Sequence, residues 1–138
     1  MTQETIFSAI RAGGGRITKI RREIICLLTR ANCFQSQADI LTKLKESHLE
    51  PDRSTIFREL QFLSNNRFII KNILSGKAYY EIPRDHHHHL ICLKCRSVKK
   101  VHMKNHLKKQ ESRIAKDSQF SITGHSLEFY GYCRNCQA

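Results

Sequence analysis

Four consecutive histidines, His86, His87, His88 and His89, run into the pair Cys92-Leu-Lys-Cys95. A second pair, Cys133-Arg-Asn-Cys136, lies near the other end of the same region. Two Cys-x-x-Cys pairs supply four thiolates, the set that closes a tetrahedral shell around Zn²⁺. A closed shell has no open position, so the expected role is structural. Redox-active pairs would want a βαβ pattern around them, and none is present. Thirty-seven residues lie between Cys95 and Cys133, so a shared ion would tie the start of a domain to its end.

The histidines call for a different chemistry. In a strand, alternate side chains face opposite ways. His87 and His89 then share one face, and His86 and His88 share the other. Glu81, shortly before the run, could join the His87/His89 face. Imidazole with carboxylate suits Fe²⁺, Zn²⁺, Mn²⁺ or Ni²⁺ and does not choose among them. A metal-dependent hydrolase would need a general base beside the histidines, and only Glu81 and Asp85 are near. The sequence is read as that of a non-enzyme.

Other elements must position these groups. The chain has 138 residues, 40% of them hydrophobic, and a formal charge of +12. Residues 1–83 carry 13 Lys/Arg against 8 Asp/Glu, and residues 84–138 carry 11 against 4. A basic chain without a membrane-type amphipathic helix suggests a nucleic-acid partner. No apolar run approaches the ~20 residues that cross a bilayer. Nothing at the start reads as a signal peptide, so the expectation is a cytoplasmic protein with reduced thiols and no membrane association.

Periodicity predicts helices over 3–12, from Thr18 to about 31, from Ser36 to about 47, and over 53–65. Thr18, Ser36 and Asp52 are the expected N-caps, and Ser36 with Asp39 forms a capping-box pair. Ile20, Ile24, Leu27 and Leu28 make one apolar stripe, Ile40, Leu41 and Leu44 a second, and Ile56, Leu60 and Leu63 a third. Cys26 reads as a small core residue. Strands are expected over 68–73 and 78–82 around a Ser75-Gly76 turn. Helices followed by a two-stranded ribbon make a winged helix-turn-helix, with the 53–65 helix as the element that enters a major groove. Pro83-Arg84-Asp85 reads as a hinge. Beyond it, strands are expected over 88–93, 98–101, 120–122 and 127–130. A helix is expected over 105–116, with Leu107 and Ile114 seven apart. The fold class is therefore α+β: a winged-helix domain over 1–83 and a small metal-binding α/β domain over 84–138.

Three stretches together resemble the ferric uptake regulator family of metal-dependent transcription factors. They are His86-His-His-His-Leu-Ile-Cys-Leu-Lys-Cys95, His125-Ser-Leu-Glu-Phe-Tyr-Gly-Tyr-Cys133, and Ser54-Thr-Ile-Phe-Arg58. The last is similar to the family's Ala-Thr-Val-Tyr-Arg. The resemblance implies a homodimer on double-stranded operator DNA, with a divalent metal at the hinge fixing the DNA-competent arrangement. It implies a repressor of metal-homeostasis genes; a peroxide- or redox-sensing repressor on the same scaffold is the alternative. Arg16, Arg21, Ser54, Thr55, Phe57 and Arg58 match DNA-binding positions, with Phe57 where tyrosine is usual. Cys92, Cys95, Cys133 and Cys136 match the structural zinc site. Glu81, His87 and His89 match the regulatory site, whose remaining ligands have no counterparts. Cys33 stands where the family commonly has histidine, and Lys99 and Lys100 stand near an expected acid, so Cys33 or His102 is the substitute ligand. His86, His88 and His125 match a second metal site. The glutamate the family carries on the 105–116 helix is read as missing, and His106 is its nearby candidate.

Overall fold

A computed structural model describes the chain except Asn32, Asp85, His86 and Ala138, and except the side chains of Asn105 and His106. The described residues form two compact units, Met1–Arg84 and Asp85–Ala138.

In the first unit α1 (Gln3–Ala12) is capped by Thr2 and α2 (Lys19–Arg30) by Thr18, whose side chain accepts from the Arg21 amide. A short strand β1 (Gln35–Ser36) leads into α3 (Gln37–Glu46), and α4 (Arg53–Asn65) follows, capped by Asp52. The hydroxyl of Thr55 and its amide both hold Asp52, which draws that carboxyl below its usual range. The strands β2 (Ile70–Leu74) and β3 (Lys77–Glu81) form an antiparallel hairpin, and β1 adds to its other side in the order β1-β3-β2. Ser75 and Gly76 turn it, with φ of 50° and 77°. That two-residue loop needs left-handed backbone at both positions, which glycine adopts without cost. The stripes meet in one core: Ile6, Phe7 and Ile10 of α1, Ile24, Ile25 and Leu28 of α2, Ile40 and Leu44 of α3, and Ile56, Leu60 and Leu63 of α4. Cys26 packs with them, and burial pushes its thiol above the usual range.

The start of α3 carries a full capping box. Ser36 is buried; its hydroxyl accepts from the Asp39 amide, and the Asp39 carboxylate accepts from the Ser36 amide at 2.9 Å. Asp39→Ala frees two buried donors on Ser36. It is expected to cost about 1 kcal/mol and to lower the melting temperature of this unit by about 4–8 °C, read by circular dichroism.

The second unit is a three-stranded sheet of order β5-β4-β6, built from β4 (His88–Cys92), β5 (Val98–Val101) and β6 (Glu128–Gly131). β4 is central, antiparallel to β5 and parallel to β6. The helix begins later than its sequence pattern suggests. Lys104–Leu107 is a 3-10 turn, Leu107 is left-handed (φ 61°), and α5 spans Lys108–Ser118. Ile114 is exposed, so the Leu107/Ile114 spacing does not mark a buried stripe. Residues 120–122, expected as a strand, are not one: among the described residues no strand pairs with them. β-branched and aromatic residues favour a strand only where an edge is there to receive them.

Candidate metal centres and nucleic-acid interface

The cysteine cluster is built by two tight turns at one end of this sheet. After β4 the Arg96 amide donates to the Cys92 carbonyl at 2.9 Å, with Arg96 left-handed (φ 62°). After β6 the Cys136 amide donates to the Cys133 carbonyl at 2.8 Å. Because β4 and β6 are parallel neighbours, with Cys92 opposite Gly131, both turns emerge at the same end. All four Sγ atoms lie within 4.8 Å of one another, and Cys95 Sγ is 3.7 Å from Cys133 Sγ. A tetrahedron with Zn–S of about 2.3 Å has sulfur–sulfur edges of about 3.8 Å. The set fits Zn²⁺ in spacing as well as in donor type.

Electrostatics prepares the site for a cation. The Cys133 amide points at Cys92 Sγ (3.4 Å), and that bond, followed by others from the Cys95 and Lys94 amides, brings the Cys92 thiol down to about 6. The Ser97 hydroxyl lowers Cys95. Cys136 is pushed up to about 12, first by the neighbouring Cys133 thiol and then by burial. Four thiolates cannot gather without a counter-charge, and a dication supplies it. Lys94 and Arg134, each inside one of the two turns, offset the remaining negative charge.

The histidines divide as strand alternation requires. His87 and His89 pair edge-to-face, ring centroids 4.7 Å apart, with His102 at 6.3 Å from His87. His89 is buried; desolvation, with His87, His88 and Lys100 adding repulsion, brings it down to about 4, so it stays a neutral imidazole, the ligand form. Lys100 is its cross-strand partner. His88 is buried on the other face and stacks on His125 at 5.2 Å. His86, the third member of the expected second site, lies outside the described residues, and so does the His106 side chain.

One residue was missed. Glu111, on α5, meets His125 Nδ1 through its carboxylate in a short contact. The expectation that this helix offers no glutamate is thus corrected: Glu111 lies on α5 and faces His125. The spacing of Glu111 in the sequence gives no sign of this, because only the folding of α5 back toward 125 brings the two together.

Glu81 and Cys33 belong to the first unit. Glu81 ends β3, and Cys33 precedes β1. β1 runs antiparallel to β3 with Gln35 opposite Tyr80, so both residues lie at the same end of that sheet, and both are half-buried. Arg84 ends the unit with its guanidinium on the Thr29 carbonyl, at the carbonyl-rich end of α2.

On α4 the buried face is Ile56, Leu60 and Leu63. Ser54, Phe57 and Arg58 are exposed on the other side, and Thr55 is half-buried at the cap. Phe57 is 49% exposed, which removes it from the core and leaves an aromatic ring on the outward face. Arg16 is exposed in the loop before α2. Arg21 differs from its expected setting: its guanidinium holds Glu59 through two bonds, 2.7 and 3.2 Å, and the Arg16 carbonyl at 2.8 Å. Its planar head also lies 3.9 Å from the centre of the Phe62 ring. Three of its five N–H donors are thus engaged within the protein, a setting the sequence did not suggest for a DNA-binding position.

A winged helix-turn-helix followed by a small α/β unit with a four-cysteine cluster defines a class of metal-binding regulators. The family model "Ferric uptake regulator family" matches residues 12–130. The chain is similar to the ferric uptake regulation protein of Neisseria meningitidis, 33% identical over 132 residues, covering 94% of this chain and 91% of that one. It is also similar in structure to the Helicobacter pylori ferric uptake regulator, described as having three functional metal binding sites. That match has a TM-score of 0.85 and 25% identity, and covers 100% of this chain and 95% of the other. The Vibrio cholerae ferric uptake regulator matches with a TM-score of 0.80 and 26% identity, over 92% and 98% of the two chains. The chain belongs to the ferric uptake regulator family, whose members are metal-responsive transcription regulators rather than enzymes. Among the described residues no helix is long and apolar enough to cross a membrane.

Proposed function

We propose that this chain is a homodimeric repressor that binds operator DNA through residues 1–83 when a divalent metal occupies its regulatory site. The observation that carries the reading is the His87/His89 pair, two close imidazoles at the very start of the second unit. A ligand set that also drew on the first unit would couple metal binding to the disposition of the DNA-binding face. Lys100 opposite His89 adds positive charge, so a dication there needs an anionic ligand. Glu81, six residues before His87, supplies one. Cys33, at the same sheet end as Glu81, supplies a second; His102 is the nitrogen alternative. A thiolate in the shell favours Zn²⁺ over Fe²⁺ or Mn²⁺. The second metal site comprises His86, His88 and His125, with Glu111 added. Leu90 and its strand partner Phe129 are exposed on one face of the sheet; this apolar patch suits a second copy of the chain. Ser54, Thr55, Phe57 and Arg58 read the major groove, with Phe57 offering an apolar contact to a thymine methyl, and Arg16 meets the backbone.

The test is selection from a pool of random duplexes, with and without Zn²⁺, Fe²⁺ or Mn²⁺. The expected result is enrichment of an inverted repeat that binds at least ~10-fold tighter with one metal, as a shifted two-state equilibrium requires, and that weakens steeply with salt. Equal affinity with every metal and with none refutes the reading. Loss of binding after peroxide with a +16 Da mass on a metal-bound histidine, as sulfur-independent oxidation gives, moves it to the redox-sensing alternative.

A further inference from the structure

We infer that Arg21 is a positioning residue for DNA binding, a latch that fixes the Arg16 loop to the recognition helix without itself touching DNA; this rests on the DNA-binding reading above. Three elements meet at its guanidinium. Nε and Nη2 grip both oxygens of Glu59, in the middle of α4. Nη1 donates to the Arg16 carbonyl, in the loop ahead of α2. The flat face covers Phe62, one helical turn beyond Glu59. The ion pair is shielded, with side-chain exposures of 13% and 16%, so solvent competes weakly for it.

The geometry assigns each bond a task. Glu59 is three residues beyond Ile56 and one beyond Arg58, so it anchors the α4 turn that presents Phe57 and Arg58. The Arg16 carbonyl is fixed from one side by Arg21. From the other, the loop is held by the Gly15 amide, which donates to the Ile10 carbonyl at 2.8 Å, in a space where an added Cβ would sit 2.7 Å from Ile10 Cγ2. With its backbone held at both ends, the exposed Arg16 side chain departs from a set point. A bidentate fork plus a third donor is a task for guanidinium; an ammonium is a single point that cannot hold Glu59 and reach the carbonyl together.

Arg21→Lys therefore separates a latch from a direct contact. On the duplex recovered by the selection above, with metal bound, Arg21→Lys is expected to weaken binding about tenfold. It should flatten the dependence of log K on log salt by about 0.9, the loss of one phosphate contact, and Arg16→Ala should do the same. The double variant should be no weaker than Arg16→Ala alone, since both changes remove one contact. Without DNA, amide exchange over residues 13–18 should speed up about tenfold in Arg21→Lys and stay unchanged over α3. The idea is overturned if the two losses multiply and the two slope changes add, which marks a direct Arg21 contact. It is equally overturned if loop exchange in Arg21→Lys matches the wild type. Absence of DNA binding by the wild type under every metal sinks the DNA-binding reading instead, and the exchange measurement still decides the latch.

Discussion

Replacing Cys133 with serine is expected to abolish stoichiometric zinc binding and to unfold the second unit while leaving the first folded. Among its described residues this unit buries only His88, His89, Ile91 and Cys92. So small a core cannot offset the entropy of ordering its chain, and domains of this size depend on a staple. A structural Zn²⁺ on thiolates contributes on the order of 10–16 kcal/mol of folding free energy, far above any other single interaction here. The first unit has its own core from Ile6 to Ile82 and should keep its melting transition. Metal analysis after gel filtration, with two-dimensional NMR of wild type and variant, reads both effects. A Cys133→Ser protein that keeps dispersed second-unit resonances without zinc would refute the structural role of the cluster.

His89→Ala should have the second large effect, on response rather than on folding. His89 is buried, neutral and paired with His87, so its loss removes an imidazole from the proposed regulatory shell. Metal affinity at that site is expected to fall about 100-fold, since each ligand must be replaced by water. The metal-driven gain in DNA affinity should disappear, leaving the weak metal-free binding, and the cysteine-bound zinc should remain. Fluorescence anisotropy on the selected duplex across a metal titration measures this. If His89→Ala responds to metal as the wild type does, the sensing site lies elsewhere.

The sequence exposed the parts that depend on near neighbours. Thr18, Ser36 with Asp39, and Asp52 mark helix starts because capping is local, and the stripe Ile56, Leu60 and Leu63 is a matter of spacing alone. The two Cys-x-x-Cys pairs and the alternation of the histidines were legible for the same reason. What stayed hidden is long-range. β1 is two residues long and is a strand only because Gln35 and Ser36 meet Tyr80 and Tyr79. Residues 120–122 have strand composition but, among the described residues, no partner edge. Glu111 and His125 are fourteen residues apart, and only the path of α5 brings them together. Arg21 matches a DNA-binding position by resemblance; its engagement by Glu59 is a tertiary fact.

The parallel pairing of β4 with β6 has a mechanical consequence. The same short strand carries His88 and His89 at one end and Cys92 at the other. A slip of one residue against its neighbours would exchange the two faces and send His89 to the side that holds His88. Cys92, pinned to the turn after β6, stops that slip, so the four-sulfur knot acts as an index mark for imidazoles it never touches. A cysteine variant would therefore misreport the regulatory metal as well as lose its zinc, and an altered metal response in such a variant would not make the cysteines sensors.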